Sequence, residues 1–152
     1  MVSGGVNAAY LSSTLALPVG ALEVTESDII DAIGRASQVA QKIVLFTCKQ
    51  ASRLVPLLES SLDLTIQEIC YSRPDEAREA FHLASKQSDI AIVGASLVCG
   101  LAAQKSIPSY MLSSPDSCHS TLRNAIEKAK EWSEYVEDFK MAVNVSAIQL
   151  KN

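Results

Sequence analysis

Six side chains in this sequence are candidates for thiol or metal chemistry: Cys48, Cys70, Cys99, Cys118, His82 and His119. No two cysteines stand in a CxxC pair, and together with the histidines they form no zinc spacing. An even count invites disulfides, but the chain is not a small, loop-rich scaffold. Free thiols, buried or half-buried in a cytoplasmic protein, are therefore expected. A two-thiol racemase needs one cysteine from each side of a cleft. Cys48 and Cys99 fall in the same presumed lobe, and Cys99 lies inside a helical stretch. No metal and no cofactor are expected.

A second chemical candidate is the junction in DIAIVGASLVCGLAAQKSIPSYML, where Gly94-Ala95-Ser96 separates an apolar run from a small-residue helix. A nucleophile elbow (GxSxG) would need glycine where Val98 stands. Gly94 and Gly100 lack dinucleotide-loop spacing, and no GKS or GKT follows. Two roles remain. The bare strand end lets backbone N–H groups and the Ser96 hydroxyl approach an oxygen-rich ligand, or Gly94 merely lets strand and helix pack closely.

The elements that position this junction follow from the apolar periodicity. Lys42 to Thr47 reads as a strand, and Gln50 to Leu62 as a helix whose Pro56 either kinks it or shifts its start. Leu64 to Tyr71 alternates like a strand. Arg73-Pro74-Asp75-Glu76 opens a helix, with proline and acids suited to its first turn. Ile90 to Val93 predicts a strand, Leu97 to Lys105 a helix and Tyr110 to Leu112 a strand. Ser114-Pro115-Asp116 begins a long helix reaching Phe139 or beyond. Four strand–helix units in a row predict an α/β fold, a flavodoxin-like parallel sheet whose ligands lie beyond the strands' carboxyl ends.

The 152 residues are 48% hydrophobic and 20% charged, with a formal charge of −4. That composition suits a globular core and gives no basic field for gripping nucleic acid. Apolar runs are broken well short of a membrane span, and Met1 to Gly5 shows no secretory pattern, so no membrane and a cytoplasmic location are expected.

The junction has an echo. VSGGVNAAYLSSTLALPVGAL, from Val2, superposes on IVGASLVCGLAAQKSIPSYML, from Ile92, with a shift of 90 positions. Gly4 meets Gly94, Pro18 meets Pro108 and Leu22 meets Leu112. Two related lobes are implied, a partial first lobe with its crossover helix over 1–40 and a second over 41–142, with 143–152 a tail or linker. The second copy follows two complete strand–helix units and the first follows none. The first lobe is therefore expected to lack its beginning, and its exposed strand edge to seek a partner as a homodimer or higher oligomer.

SGGVNAAYLSSTLALPVGALEVTESDIIDAIGRA, QEICYSRPDEAREA and DIAIVGASLVCGLAAQKSIPSYMLSSPDSCHSTLRNAIEKA occur in this order over roughly Val2 to Trp132. Together they resemble the N-terminal sensory domain of the PrpR-type propionate catabolism activators, which are sigma-54-dependent transcriptional regulators. The resemblance implies a non-enzymatic module of two α/β lobes, periplasmic-binding-protein-like overall. It also implies a small organic acid ligand (2-methylcitrate for characterised members) and an attached AAA+ ATPase and DNA-binding domain. Nothing like a Walker A loop or a helix-turn-helix is present in this sequence. Rival readings are a flavodoxin-like racemase or hydrolase, and an interaction module with a vestigial cleft.

The candidate ligand-binding set is Ser3, Gly4, Gly5, Asn7, Thr47, Lys49, Gln50, Tyr71, Gly94, Ser96 and Ser113. Lys49 would offset a carboxylate or stand solvated in a loop. Arg73 is open to the same two readings, and Tyr71 either faces the mouth or covers the core. Thr25 and Ser27, beside Asp28, are expected to cap a helix instead of touching a ligand.

Overall fold

Ile43, Val44, Leu45 and Phe46 are all essentially inaccessible to solvent, so the strand they form is covered on both faces, as a central parallel strand must be. The computed structural model describes the backbone of residues 2–151 and the side chains of 4, 7, 8 and 10–142. In chain order the elements are β1 (Val2–Gly4), α1 (Gly5–Thr14), β2 (Gly20–Leu22), α2 (Glu26–Ala36), β3 (Lys42–Cys48) and α3 (Val55–Leu62). There follow β4 (Thr65–Tyr71), α4 (Pro74–Ala84), β5 (Ile90–Gly94), α5 (Ser96–Gln104), β6 (Ser109–Met111) and α6 (Pro115–Lys151).

β3 to β6 form one parallel sheet in the order β4-β3-β5-β6. This is the flavodoxin-like order, in which the chain turns from one sheet direction to the other between β3 and β5. Ile43, Leu45, Ile66, Ala91 and Val93 pack on one face against α2 and α3, whose Ile29, Ile33, Val55 and Leu58 complete that core. Val44, Phe46, Ile90 and Ile92 pack on the other face against Ala77 and Phe81 of α4 and Val98 and Ala102 of α5. Alternate side chains of one strand feed opposite cores, which explains its unbroken apolar sequence.

β1 and β2 form a separate two-stranded parallel sheet. The two copies of the echo therefore share the order strand, helix, strand, helix. Their register differs by one residue: Gly4 stands opposite Leu22, but Gly94 stands opposite Met111. Each copy then sends its last helix to the other sheet. α2, which follows β2, packs on β5 and β6, whereas α6, which follows β6, packs on β2 and β1. The fourth helix of the four-unit reading thus covers the small sheet, and α2 takes its place on the large one.

One expected boundary moves. α3 starts at Val55 with Pro56 in its first turn, where a missing N–H costs nothing, so residues 49–54 form a loop and not helix. At the other end, residues 143–151 continue α6, a helix of 37 residues and so about 55 Å long. Met1 and Asn152 lie outside the described residues.

Candidate ligand-binding site

Beyond the carboxyl ends of β3, β5 and β6 and those of β1 and β2 lies a cleft of about 900 Å³. It is lined by Lys49, Gln50, Ser52 and Arg53 of the β3–α3 loop and by Gly4, Glu23 and Glu26. Ala95, Ser96 and Ser113 also line it. Lys49 and Arg53 are exposed, and neither makes an ion pair among the described residues.

The two helix starts here differ from the two at the chain crossings. α1 begins after Gly4 and α5 after Ala95, and neither has a side-chain cap. Gly4 and Ala95 both line the cleft. By contrast, the Thr25 hydroxyl accepts from Asp28 N at the start of α2, and the Ser114 hydroxyl accepts from Ser117 N at the start of α6. The first N–H groups of a helix have no partner within it and carry partial positive charge. Where the echoing copies approach each other, two such starts receive no side-chain hydrogen bond from their own N-cap residues. A smaller hollow of about 400 Å³ lies beside the capped starts, lined among others by Thr25, Ser117, Asn124 and Lys128. Its helix ends are already served by their own hydroxyls.

Of the residues selected from sequence, Gly4, Thr47, Lys49, Gln50, Tyr71, Ser96 and Ser113 line the cleft. The roles of several are narrower than expected. The Thr47 side chain is nearly buried, and its hydroxyl donates to Glu68 Oε1 at 3.1 Å. Tyr71 is core as well as lining, edge-on to Phe46 at 6.5 Å between ring centroids, and burial pushes its phenol up. Lys49 sits in the left-handed backbone region (φ 67°), with its N–H bonded to the Tyr71 carbonyl at 2.9 Å. That conformation is uncommon for a residue with a side chain.

Gly94 is a correction. It is buried beneath the cleft, and a Cβ there would overlap Val98 Cγ2 and stand 3.1 Å from Phe46 Cβ. Its carbonyl accepts from Leu112 N at 2.9 Å. The glycine serves close packing of β5 against α5 and β3, and it is Ala95, one residue on, that reaches the opening. Asn7 is a second correction: its side chain is exposed on α1 and does not line the cleft. For Ser3 and Gly5 only the backbone lies within the described structure, in β1 and at the start of α1.

Arg73 is occupied by its own helix start, pairing with Asp75 at 3.2 Å and Glu76 at 3.3 Å. Thr25 caps α2, as expected, in a capping box with Asp28, whereas Ser27 lies inside the helix, which starts at Glu26. All four cysteines are free, but Cys70 is exposed instead of buried. Burial pushes the Cys48 thiol up, with the Lys49 ammonium opposing, and burial also raises Cys99, so neither is held as a thiolate. No cluster of three or more His, Cys, Asp or Glu suited to a metal occurs among the described residues. Nor is any helix among them long and apolar enough to cross a membrane.

Sequence reasoning missed Ser52, Arg53, Glu23 and Glu26. The first two were assigned to a helix that starts five residues later. The signal for the later start was Pro56 itself.

A family model described as "Propionate catabolism activator" (PrpR_N) matches residues 1–137. The chain belongs to this family. The match takes in both copies of the echo, the cleft and most of α6. Among solved structures, the chain is similar to one described as an NtrC family transcriptional regulator from Clostridium acetobutylicum. The two superpose with a TM-score of 0.74 at 18% identity, over 85% of this chain and 70% of that one. At that identity the likeness establishes the shared α/β fold.

Proposed function

We propose that this chain is the ligand-sensing part of a sigma-54-dependent transcription activator, and that it binds a small carboxylated metabolite of the 2-methylcitrate kind in the cleft. The observation that carries the reading is the pair of uncapped helix starts, after Gly4 and Ala95, that line one opening. Such ends bind anions through free N–H groups and the helix dipole. Lys49 and Arg53 add cationic charge from the β3–α3 loop, and Ser96 and Ser113 add hydroxyls. Family membership and the regulator description of the structural neighbour support the regulatory role.

Ligand binding would draw the small sheet, with α1 and α6, toward the large sheet, with α2 to α5, and shift the population toward a closed state that releases an attached AAA+ ATPase. The protein works in the cytoplasm and is not an enzyme. Among the described residues that line the cleft there is no histidine, and the one thiol, Cys48, is pushed by burial toward its protonated form. A second copy of the chain would cover Trp132, Tyr135 and Phe139, which stand exposed on α6.

Isothermal titration with citrate, 2-methylcitrate and tricarballylate tests the reading. Saturable heat with at least one acid, weakened by Lys49→Ala, is the expected result. Absence of heat with every acid would remove the sensor assignment.

A further inference from the structure

Both cationic side chains that line the cleft, Lys49 and Arg53, belong to one short loop over residues 49–54. At its first residue the loop is tied to β4 by the bond from Lys49 N to the Tyr71 carbonyl. At its middle it is held by a side chain from the sheet. Glu68, on β4 opposite Leu45, turns one carboxylate oxygen toward two donors. Its Oε1 accepts from the Thr47 hydroxyl at the end of β3, at 3.1 Å, and from the backbone N–H of Ser52. Ser52 in turn accepts from Leu54 N through its hydroxyl, at 3.2 Å, and so leads into α3. Glu68 is half-buried and does not itself line the cleft.

A negative charge close to an anion site opposes binding through Coulomb repulsion. Its presence here calls for a compensating role, and the two bonds supply one. A charged acceptor bonds more strongly than a neutral one, and a loop with few apolar contacts takes its shape from such bonds. We propose that Glu68 is the positioning residue of the cleft: it fixes the loop over residues 49–54 so that Lys49 and Arg53 face the ligand together. This rests on the reading of the cleft as an anion site. It adds a residue that touches no ligand yet governs affinity through two that do.

The test compares the full chain with Glu68→Gln, which keeps an acceptor oxygen, and Glu68→Ala, which keeps none. Amide hydrogen exchange and citrate titration are read on all three. In Glu68→Ala, exchange at residues 50–54 should rise about tenfold or more while α2 and α4 keep their protection, and citrate affinity should fall about tenfold. Glu68→Gln should restore both to within about threefold, because Gln still accepts from Thr47 and Ser52. Unchanged loop exchange in Glu68→Ala overturns the proposal, as does a loosened loop that leaves citrate affinity intact. If the parent chain binds no acid, the anion-site reading fails by itself, and the exchange comparison still decides whether Glu68 holds the loop.

Discussion

Ser117 Oγ donates a 2.7 Å hydrogen bond to Asp28 Oδ2, joining the first turn of α6 to the first turn of α2 across 89 residues of sequence. Each of these helices begins where the chain leaves one sheet for the other. The same Asp28 oxygen accepts from Thr25 N at 2.8 Å and from the Thr25 hydroxyl at 2.9 Å, so one carboxylate serves the cap of α2 and the crossing of α6. Both side chains are buried, Asp28 at 2% exposure. Ser117→Ala should cost about 1.5–3 kcal/mol, the range for a hydrogen bond to a charged group, measured by denaturant unfolding. A loss within experimental error would show that the crossing is held by apolar packing alone.

Burial works against the charge on Asp28, but hydrogen bonds from Ser117, the Thr25 backbone, Ser114 and the Thr25 hydroxyl outweigh it. They lower its pKa from 3.8 to about 2. The folded value lies below the unfolded one, so the contribution is complete above about pH 4 and is lost as pH falls toward 2. Its size is about 2 kcal/mol. Melting temperatures followed from pH 6 to 2 should fall less steeply in Asp28→Asn than in the parent. An identical acid limb in the two proteins would contradict the assignment.

Gly94 packs where any Cβ would meet Val98 and Phe46. Gly94→Ala should therefore destabilise by about 1–3 kcal/mol through overpacking, and Gly94→Ala with Val98→Ala should recover part of that loss beyond additivity. A double-mutant cycle in urea measures the coupling. Additive effects would mean that the backbone shifts instead of the side chain.

Phe139 lies eighteen residues beyond Thr121 on α6, five full turns, and so on the same side of the helix. Thr121 is buried against the rest of the fold, but Phe139 and Tyr135 are about 60% exposed, and Trp132 stacks beside Tyr135 at 5.9 Å. The face continues apolar after its cover ends. If a second copy covers it, sedimentation at micromolar concentration should show a dimer that Tyr135→Glu with Phe139→Glu converts to monomer. A parent chain that sediments as a monomer would refute that partner.

The large sheet was legible because its central strands β3 and β5 are buried on both faces and so read as nearly continuous apolar runs, while the edge strand β4 alternates. The capping of α2 was legible for a different reason: Thr25 and Asp28 are three residues apart, so the interaction is local. What escaped was tertiary. Gly94 looked like a ligand contact because a missing side chain signals close approach without saying of what; the answer was Val98, one turn onward. Glu68 sat in an alternating strand as one more polar residue, and its two donors come from elsewhere in the fold. The exchange of α2 and α6 was hidden because an apolar stripe shows that a helix packs, not on which sheet.

Ala95 separates the two consequences of a bare helix start. Placing a carboxylate at an N-cap satisfies free N–H groups and favours the dipole, and Ala to Asp there commonly adds about 0.5–2 kcal/mol. At this position the same carboxylate would occupy the N–H groups assigned to the ligand and add negative charge to its site. Ala95→Asp should thus raise the melting temperature while weakening citrate binding at least tenfold. Ala95→Ser, a neutral cap, should gain stability with a smaller loss of affinity. Opposite signs for stability and binding distinguish an anion site from a poorly capped helix. A carboxylate at residue 95 that stabilised the chain and left binding unchanged would place the anion elsewhere in the cleft.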